Sequence, residues 1–405
     1  MRQNSNGINM SDVKIKNRSS ILDLVYQSGG ASRKEIANRL GLTPAAITLI
    51  TTTLIQEGLL SEYTTTETSN RKGRKEVILK INKKKYAAIG IYITRHKFRI
   101  LCVDLNNNVL FEDTIYTADC KKDAQLILDK LCNTLNTLLQ NYDILRTKKL
   151  IGLGVSVNGI VDTHNGISIR SYHIWGHNVP VTEYLSQQLN TPVLLTNNIC
   201  SLAHGEYFLS HMERTDNMLF IKYGPGVGAA RLASENFLDI SNFKAIQLGH
   251  TISDPNGTPC VCGNLGCLET IASYDAIEAA LANVLSTDMT PVLFELTRGA
   301  AENITMEHVI NAYTAGDSAV VATINRSIYY LSIAIKNAIC MFDPQKVILY
   351  GELFENPAFR RQLYTQLSHF PDTDKVDFSH YNLQLETLGP ATTIIHHFFQ
   401  SGGKL

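Results

Sequence analysis

The chain predicts two fold classes in series: a winged helix-turn-helix head over residues 1–82, then a two-lobed α/β body with lobes at 83–200 and 201–405. Three observations carry this. First, the 405 residues are neutral overall, yet residues 1–85 hold 15 Lys and Arg against 7 acids, a net of +8, which leaves −8 on the rest. A basic head on an acidic body is the charge layout of a nucleic-acid-binding module joined to something else. Second, the head shows three short helical patterns with capping residues between them. Third, from Tyr86 onward, apolar runs that end in Gly or Asn alternate with helical patterns. A chain that is 44% hydrophobic and 18% charged has enough apolar surface for two or three cored domains, which excludes disorder.

In the head, Asn17 to Gln27 sets Ile21, Leu22, Leu24 and Val25 on one side of a first helix. Ser32 caps a second helix, Arg33 to Leu40, with Glu35 at the capping-box position and Ile36, Ala37 and Leu40 turned inward. Gly41-Leu42 makes the turn. Thr43 then caps a third helix that starts on Pro44, carries Ile47, Ile50, Leu54 and Ile55 inward, and stops at Gly58. Such a helix-turn-helix lays its last helix in the major groove of duplex DNA, and a plain three-helix bundle is the bland alternative.

The next segment favours DNA. Ser61 to Asn70 is polar and Thr-rich, Arg71-Lys72-Gly73-Arg74-Lys75 is a basic tip, and Val77 to Ile81 alternates, so two strands form a wing whose tip meets phosphates or a minor groove. The candidate DNA contacts are therefore Ser32, Arg33, Thr43, Ala45, Ala46, Thr48, Leu49 and Thr52, together with Arg71, Lys72, Gly73, Arg74 and Lys75. The third helix shows no Arg, Asn or Gln on that face, so thymine-methyl contacts and DNA shape should dominate its readout.

In the body, Ala87 to Ile93 and Phe98 to Asp104 read as a hairpin, with a third strand near Val109 and a helix from Asp123 to Leu139. Leu150 to Val157 is a buried strand that enters Asn158-Gly159-Ile160-Val161-Asp162, and Val193 to Leu195 runs into Thr196-Asn197-Asn198. Met218 to Lys222 meets a glycine turn at 224–228, and Val347 to Gly351 follows a long helix of about Ser318 to Asp343. Ligand groups are expected at these strand ends, in a cleft between the lobes. Trp175, the only tryptophan, is expected in the core. No apolar run is expected to span a membrane, and nothing at the start resembles a signal peptide, so a cytoplasmic location with reduced thiols is expected.

The densest chemistry lies in Gln247-Leu248-Gly249-His250 and Cys260-Val261-Cys262-Gly263-Asn264-Leu265-Gly266-Cys267-Leu268-Glu269. Three of eight cysteines fall within eight residues. Zinc takes four tetrahedral nitrogen and sulfur ligands, and His250, Cys260, Cys262 and Cys267 supply that set for a closed structural Zn2+ site. Ordinary buried thiols, or a disulfide in an oxidising compartment, are the rivals.

On these residues the chain resembles the ROK family of repressors, open reading frames and kinases, in its repressor branch. The matching positions are Gly154 with the Gly159-Ile160-Val161-Asp162 loop, Asn197 with Glu206, Gly226-Val227-Gly228, Gly249-His250 and the cysteine loop with Glu269. The resemblance implies a sugar-kinase-like body of the actin/hexokinase, ribonuclease H-like type, with a C-terminal helix returning to the first lobe. It implies a sugar site at Asn158, Gly159, Asn197, Asn198, Gln247, His250 and Glu269. It also implies a two-fold DNA operator and a homodimer or homotetramer, with no membrane partner. The wing's Gly73-Arg74 fits the family, whereas Glu76 stands where a Pro is usual and Leu49 where an Arg is common.

Kinase chemistry is not expected. The family's catalytic base is an Asp directly after the residue matching Asn197, and here it is Asn198, an amide that cannot take up a hydroxyl proton. The first phosphate turn, Asp-x-Gly-Gly-Thr in the family, reads Ile91-Tyr92-Ile93-Thr94-Arg95, and the adenosine turn is reduced to Tyr350-Gly351-Glu352. Gln247 replaces a common Glu and should alter which hydroxyl is preferred. The sequence therefore predicts a zinc-containing, sugar-responsive regulator of carbohydrate genes, with an active sugar kinase bearing a DNA-binding head, or control by a protein partner, as the alternatives.

Overall fold

The computed structural model describes residues 10–64, 77–171, 174–209, 215–233, 240–379 and 383–404, without the side chains of 10–12 and 145. The expected basic tip, Arg71 to Lys75, lies outside the described residues. The chain divides into two compact units, one of Met1–Ser201, Leu238–Ile240 and Gln384–Leu405, the other of Leu202–Phe237 and Ser241–Leu383.

The first unit begins with the head. Helix α1 (Met10–Gln27) precedes a short strand β1 (Ala31–Ser32), then α2 (Arg33–Leu40) and α3 (Pro44–Gln56). Ser32 Oγ accepts from Glu35 N and Thr43 Oγ1 from Ala46 N, so the sequence's capping signals set both helix starts. Glu35 itself pairs with Arg39 at 2.7 Å instead of closing the capping box. The inward stripe of α3 is Ile47, Thr51 and Leu54, with Ile50 and Ile55 only half-buried. Thr51 is tolerated there because its hydroxyl donates to Ile47 O at 2.8 Å. Strands β2 (Leu60–Thr64) and β3 (Val77–Ile81) pair antiparallel, with β1 on the other side of β3, and form the wing.

Strands β4 (Tyr86–Ile93), β5 (Lys97–Asp104) and β6 (Val109–Tyr116) form an antiparallel meander. After α4 (Ala124–Asn141) and the short α5 (Ile144–Thr147), β7 (Lys149–Val157) joins β4 in parallel. A small antiparallel sheet of β8 (Ile160–Asp162), β9 (Ile167–Arg170) and β10 (His177–Val179) follows, then α6 (Val181–Leu189) and β11 (Val193–Asn197), which pairs parallel with β7. The main sheet runs β11-β7-β4-β5-β6. Ile89, Ile91 and Ile93 of β4 pack with Ile127, Leu131 and Leu135 of α4 and Leu185 of α6. Trp175 is 5% exposed in this core, and its Nε1 donates to Ser168 Oγ at 3.0 Å.

Helix α7 (Asn198–Leu209) leads into β12 (Asn217–Tyr223), β13 (Val227–Ala233) and β14 (Phe243–Ile246) of the second unit. Helices α8 (Glu269–Ala272), α9 (Tyr274–Ala282), α10 (Pro291–Thr297), α11 (Met306–Ala315) and α12 (Ser318–Phe342) come next, then β15 (Lys346–Tyr350), α13 (Pro357–Leu367) and β16 (Val376–Phe378). The sheet order, β14-β13-β12-β15-β16, repeats that of the first unit: an antiparallel meander extended by two parallel strands. The expectation that no run reaches membrane length needs one correction. Helix α12, of 25 residues, is long and apolar enough. Its apolarity faces inward, because Ile324, Ile328, Leu331, Ile335 and Ile339 all lie in the unit's core, while Arg326 and Lys336 interrupt the run.

The last helix, α14 (Leu385–Gln400), packs on the first unit's sheet. Gly90 and Gly154, paired across β4 and β7, make this contact possible. A Cβ on Gly90 would lie 1.9 Å from Thr387 O, and one on Gly154 1.8 Å from Pro390 O. The tail beyond α14 also holds the head. Arg18 of α1 is 4% exposed, donates through Nε to Gly402 O at 2.8 Å and pairs with Glu57, the C-cap of α3, at 2.5 Å.

Candidate functional site

The cysteine loop is shaped by its own backbone. Cys260 N donates to Asn264 O at 2.8 Å and Gly263 N to Cys260 O at 3.0 Å, a tight turn between Cys260 and Cys267. Isolated bridges Pro259 to Leu265 and Ile252 to Cys267 close the loop against the segment after His250. The ligand atoms of His250, Cys260, Cys262 and Cys267 all lie within 4.8 Å of one another. Cys260 Sγ is 3.5 Å from His250 Nδ1, and Cys262 Sγ is 3.6 Å from Cys267 Sγ. Atoms held about 2.3 Å from a tetrahedral centre are about 3.8 Å apart, so the set fits a four-coordinate metal. Burial, then the neighbouring sulfurs, pushes the Cys267 thiol up to about 12. A divalent cation bound there would make such crowded thiols give up their protons.

Glu269 follows this loop, and one of its carboxylate oxygens is engaged by the backbone. Its Oε2 accepts from Val227 N at 3.1 Å, at the end of the 224–228 glycine turn. Gly226 and Gly249 wall the carboxylate, since a Cβ on either would sit 2.9 Å from Oε2, and one on Gly249 would also strike Val227 O at 2.2 Å. The sequence singled out the glycines and the acid but not their mutual contact. Gln247 is exposed and His250 half-buried. Glu206 is buried in the same unit and accepts from Ser379 Oγ at 2.7 Å.

The remaining effector candidates belong to the first unit, at the carboxyl ends of the parallel strands β4, β7 and β11. Ile93, Val157 and Asn197 stand level across them. Asn197 caps α7, its Oδ1 accepting from Ile199 N at 2.9 Å and Cys200 N at 3.3 Å, while its Nδ2 donates to Gly159 O at 2.8 Å. Asn198 is 8% exposed and its Nδ2 donates to Tyr92 Oη at 3.2 Å. Asn158 Oδ1 accepts from Ser171 Oγ at 2.6 Å. Tyr92 and Ser171 are neighbours of these candidates that sequence reasoning missed. The phase of β4 carries a signal for Tyr92: Ile89, Ile91 and Ile93 fill the core face, which turns Gly90 and Tyr92 to the other.

In the head, most of the expected DNA-contacting polar atoms serve the fold. Ser32 is 6% exposed with its hydroxyl engaged as a cap, which leaves it no surface for DNA. Arg33 Nε donates to Thr51 Oγ1 at 3.0 Å and its guanidinium pairs with Glu62 at 2.9 Å. Thr43 is engaged as a cap, and the Thr48 hydroxyl donates to Pro44 O at 2.8 Å. What α3 presents outward is Ala45, Thr48, Leu49 and Thr52, with Ala46 half-buried and Leu49 72% exposed.

Comparison with known proteins matches these features. The ROK family model covers residues 88–384 and the MarR family model residues 16–67. The DNA-binding transcriptional dual regulator NagC of Escherichia coli is 28% identical over 347 residues, covering 86% of this chain and 83% of NagC. The DNA-binding transcriptional repressor Mlc of Escherichia coli is 25% identical, covering 85% and 82%. A crystal structure of a ROK family transcriptional regulator, a homologue of Mlc, superposes with a TM-score of 0.82 at 24% identity over 96% of this chain and 98% of that one. The chain belongs to the ROK family, with a MarR-type winged helix-turn-helix head on the family's sugar-kinase-like α/β body.

Proposed function

We propose that the chain is a DNA-binding transcriptional regulator, a repressor of carbohydrate-metabolism genes, that responds to a sugar bound by its body. One observation carries the reading: a MarR-type head and a ROK body occur in a single chain that aligns with NagC and Mlc over more than four fifths of each. NagC is a DNA-binding dual regulator and Mlc a DNA-binding repressor. In this reading α3 enters the major groove and the wing's Arg71, Lys72, Gly73, Arg74 and Lys75 meet the backbone. Asn158, Gly159, Asn197, Asn198, Gln247, His250 and Glu269 are the residues we assign to the sugar, with neutral amides, an imidazole and a carboxylate to offer it. His250, Cys260, Cys262 and Cys267 hold a structural Zn2+, whose chemistry is to fix the loop and orient the imidazole. The regulator works in the cytoplasm as a homodimer or homotetramer on a two-fold operator.

The body recognises sugar without phosphorylating it. The amide at Asn198 supports this, because phosphoryl transfer needs a group there that accepts the hydroxyl proton. A sugar controls the head only by binding one DNA-binding state more tightly, and a tenfold preference amounts to about 1.4 kcal/mol. The test has two arms. Selection from random duplexes, followed by anisotropy with a panel of sugars and sugar phosphates, should yield a two-fold site whose affinity a sugar changes at least about tenfold. Failure to enrich any sequence rejects DNA recognition. Incubation with ATP and the same sugars should release no ADP, and turnover would overturn the non-catalytic reading.

A further inference from the structure

The two adjacent amides at the end of β11 are spent in opposite ways. Asn197 gives up its oxygen to Ile199 N and Cys200 N, and one N–H to Gly159 O, so a second N–H is all its amide can offer a ligand. Asn198 gives its nitrogen to Tyr92 Oη, and among the described residues no group donates to its Oδ1. The residue keeps 8% of its surface exposed. Tyr92 is 2% exposed and fixed on β4 between paired neighbours, which makes its hydroxyl a rigid reference point.

We infer that Tyr92 is a positioning residue that orients the Asn198 amide with its oxygen toward the effector, and that the effector must donate a free hydroxyl hydrogen to that oxygen. This rests on the sugar-binding reading and specifies the ligand chemistry at one position. A pure acceptor rejects deoxy, O-methyl and deoxyfluoro analogues alike, because none of them has a hydrogen to give. Fluorine and methoxy oxygen are tolerated only where a donor faces them. Without the Tyr92 hydroxyl, the amide loses its reference and can turn its nitrogen outward, which relaxes that rejection.

The experiment uses the full-length chain and calorimetry. A panel of D-glucose, D-mannose, D-galactose, D-xylose and N-acetyl-D-glucosamine identifies the tightest sugar, and its monodeoxy and monodeoxyfluoro analogues are then titrated. At one ring position the wild type should lose about tenfold for deoxy and for deoxyfluoro alike. In Tyr92→Phe, the deoxyfluoro loss at that position should shrink at least about threefold relative to the deoxy loss. A Tyr92→Phe, Asn198→Asp double variant, whose carboxylate presents acceptors in any orientation, should restore it. Melting curves confirm that each variant is folded. If a sugar binds and Tyr92→Phe leaves the deoxyfluoro pattern unchanged, the positioning role is wrong while sugar binding stands. If no sugar in the panel binds the wild type, the sugar reading fails and the inference falls with it.

Discussion

The outer face of α3 and the cysteine loop use polar atoms in opposite ways. In the head, Ser32, Arg33, Thr43 and Thr48 turn their donors and acceptors onto their own backbone and neighbours, and the surface left over is methyl-rich. In the loop, backbone hydrogen bonds do the folding, and the four side chains are left to converge. A surface whose polar groups are spent can read shape and methyl groups, whereas side chains that converge on one another can hold a metal. The difference teaches that a residue type suited to binding is available for binding only where something else satisfies the fold.

The largest expected effect breaks the loop side of this comparison. On the proposed zinc site, Cys262→Ser removes one of four candidate ligands, and by elemental analysis the purified variant should hold less metal than the wild type. It should also melt roughly 6–12 °C lower, the equivalent of about 3 kcal/mol. Retention of full metal content would mean that the convergence of thiols has another purpose. In the same variant, weaker sugar binding would tie the metal to the His250 imidazole, and unchanged sugar affinity would separate them.

Next comes the clamp that ties the head to the C-terminal tail. Arg18 has 5% of its side chain exposed and Glu57 31%, so Glu57→Gln strands a buried guanidinium. Denaturant unfolding should show a loss of about 2 kcal/mol, less than a fully buried pair because Glu57 keeps some solvent. Glu35→Gln, at the exposed pair with Arg39, should cost under about 0.5 kcal/mol. Equal costs would show that burial does not decide which ion pair matters here.

Asp23 is the head's exception, a carboxylate whose Oδ1 has no partner. Burial raises its pKa from 3.8 to about 7, against the weaker opposing effect of Ser19. The folded state therefore binds the proton more tightly than the unfolded chain. Stability should be greatest below about pH 4 as far as this group is concerned, and should fall as pH rises through about 7. Asp23→Asn should flatten that slope in pH-dependent melting and gain about 1–2 kcal/mol at pH 8. An unchanged slope would place the titration elsewhere.

The smallest effect sharpens the head side. Replacing thymine by uracil in a selected operator removes only the 5-methyl, worth about 0.8 kcal/mol or roughly fourfold in affinity per methyl buried against Leu49. Leu49→Ala should abolish that dependence with little change in melting temperature, because Leu49 is 72% exposed. A Leu49→Ala protein that still distinguishes thymine from uracil would move the readout to another residue.

The parts legible in the sequence were those with local causes. Ser32 and Thr43 caps, the glycine turn after α2, and strands ending at Val157 and Asn197 all announce themselves within a few residues. The cysteine loop was legible for the same reason, since three of its four converging side chains lie within eight residues. Thr51 was missed as a core residue because its hydroxyl is satisfied inside its own helix, which hydropathy does not reveal. The membrane-length character of α12 was missed because Arg326 and Lys336 interrupt an apolar run that the unit's core otherwise absorbs.

What the sequence determined by itself was therefore the kind of chain this is: helix and strand order, a basic head, a loop of three cysteines, and an amide at Asn198. Tertiary structure decided which of these groups remain available. Tyr92 and Asn198 are 106 residues apart, and Val227 and Glu269 are 42 apart. Whether an amide shows its oxygen or its nitrogen, and whether a carboxylate is spent on a backbone N–H, depends on strand pairings no local window contains. The hydrogen-bonding capacity of each side chain is written in its type, but the partner that consumes it is supplied by the fold.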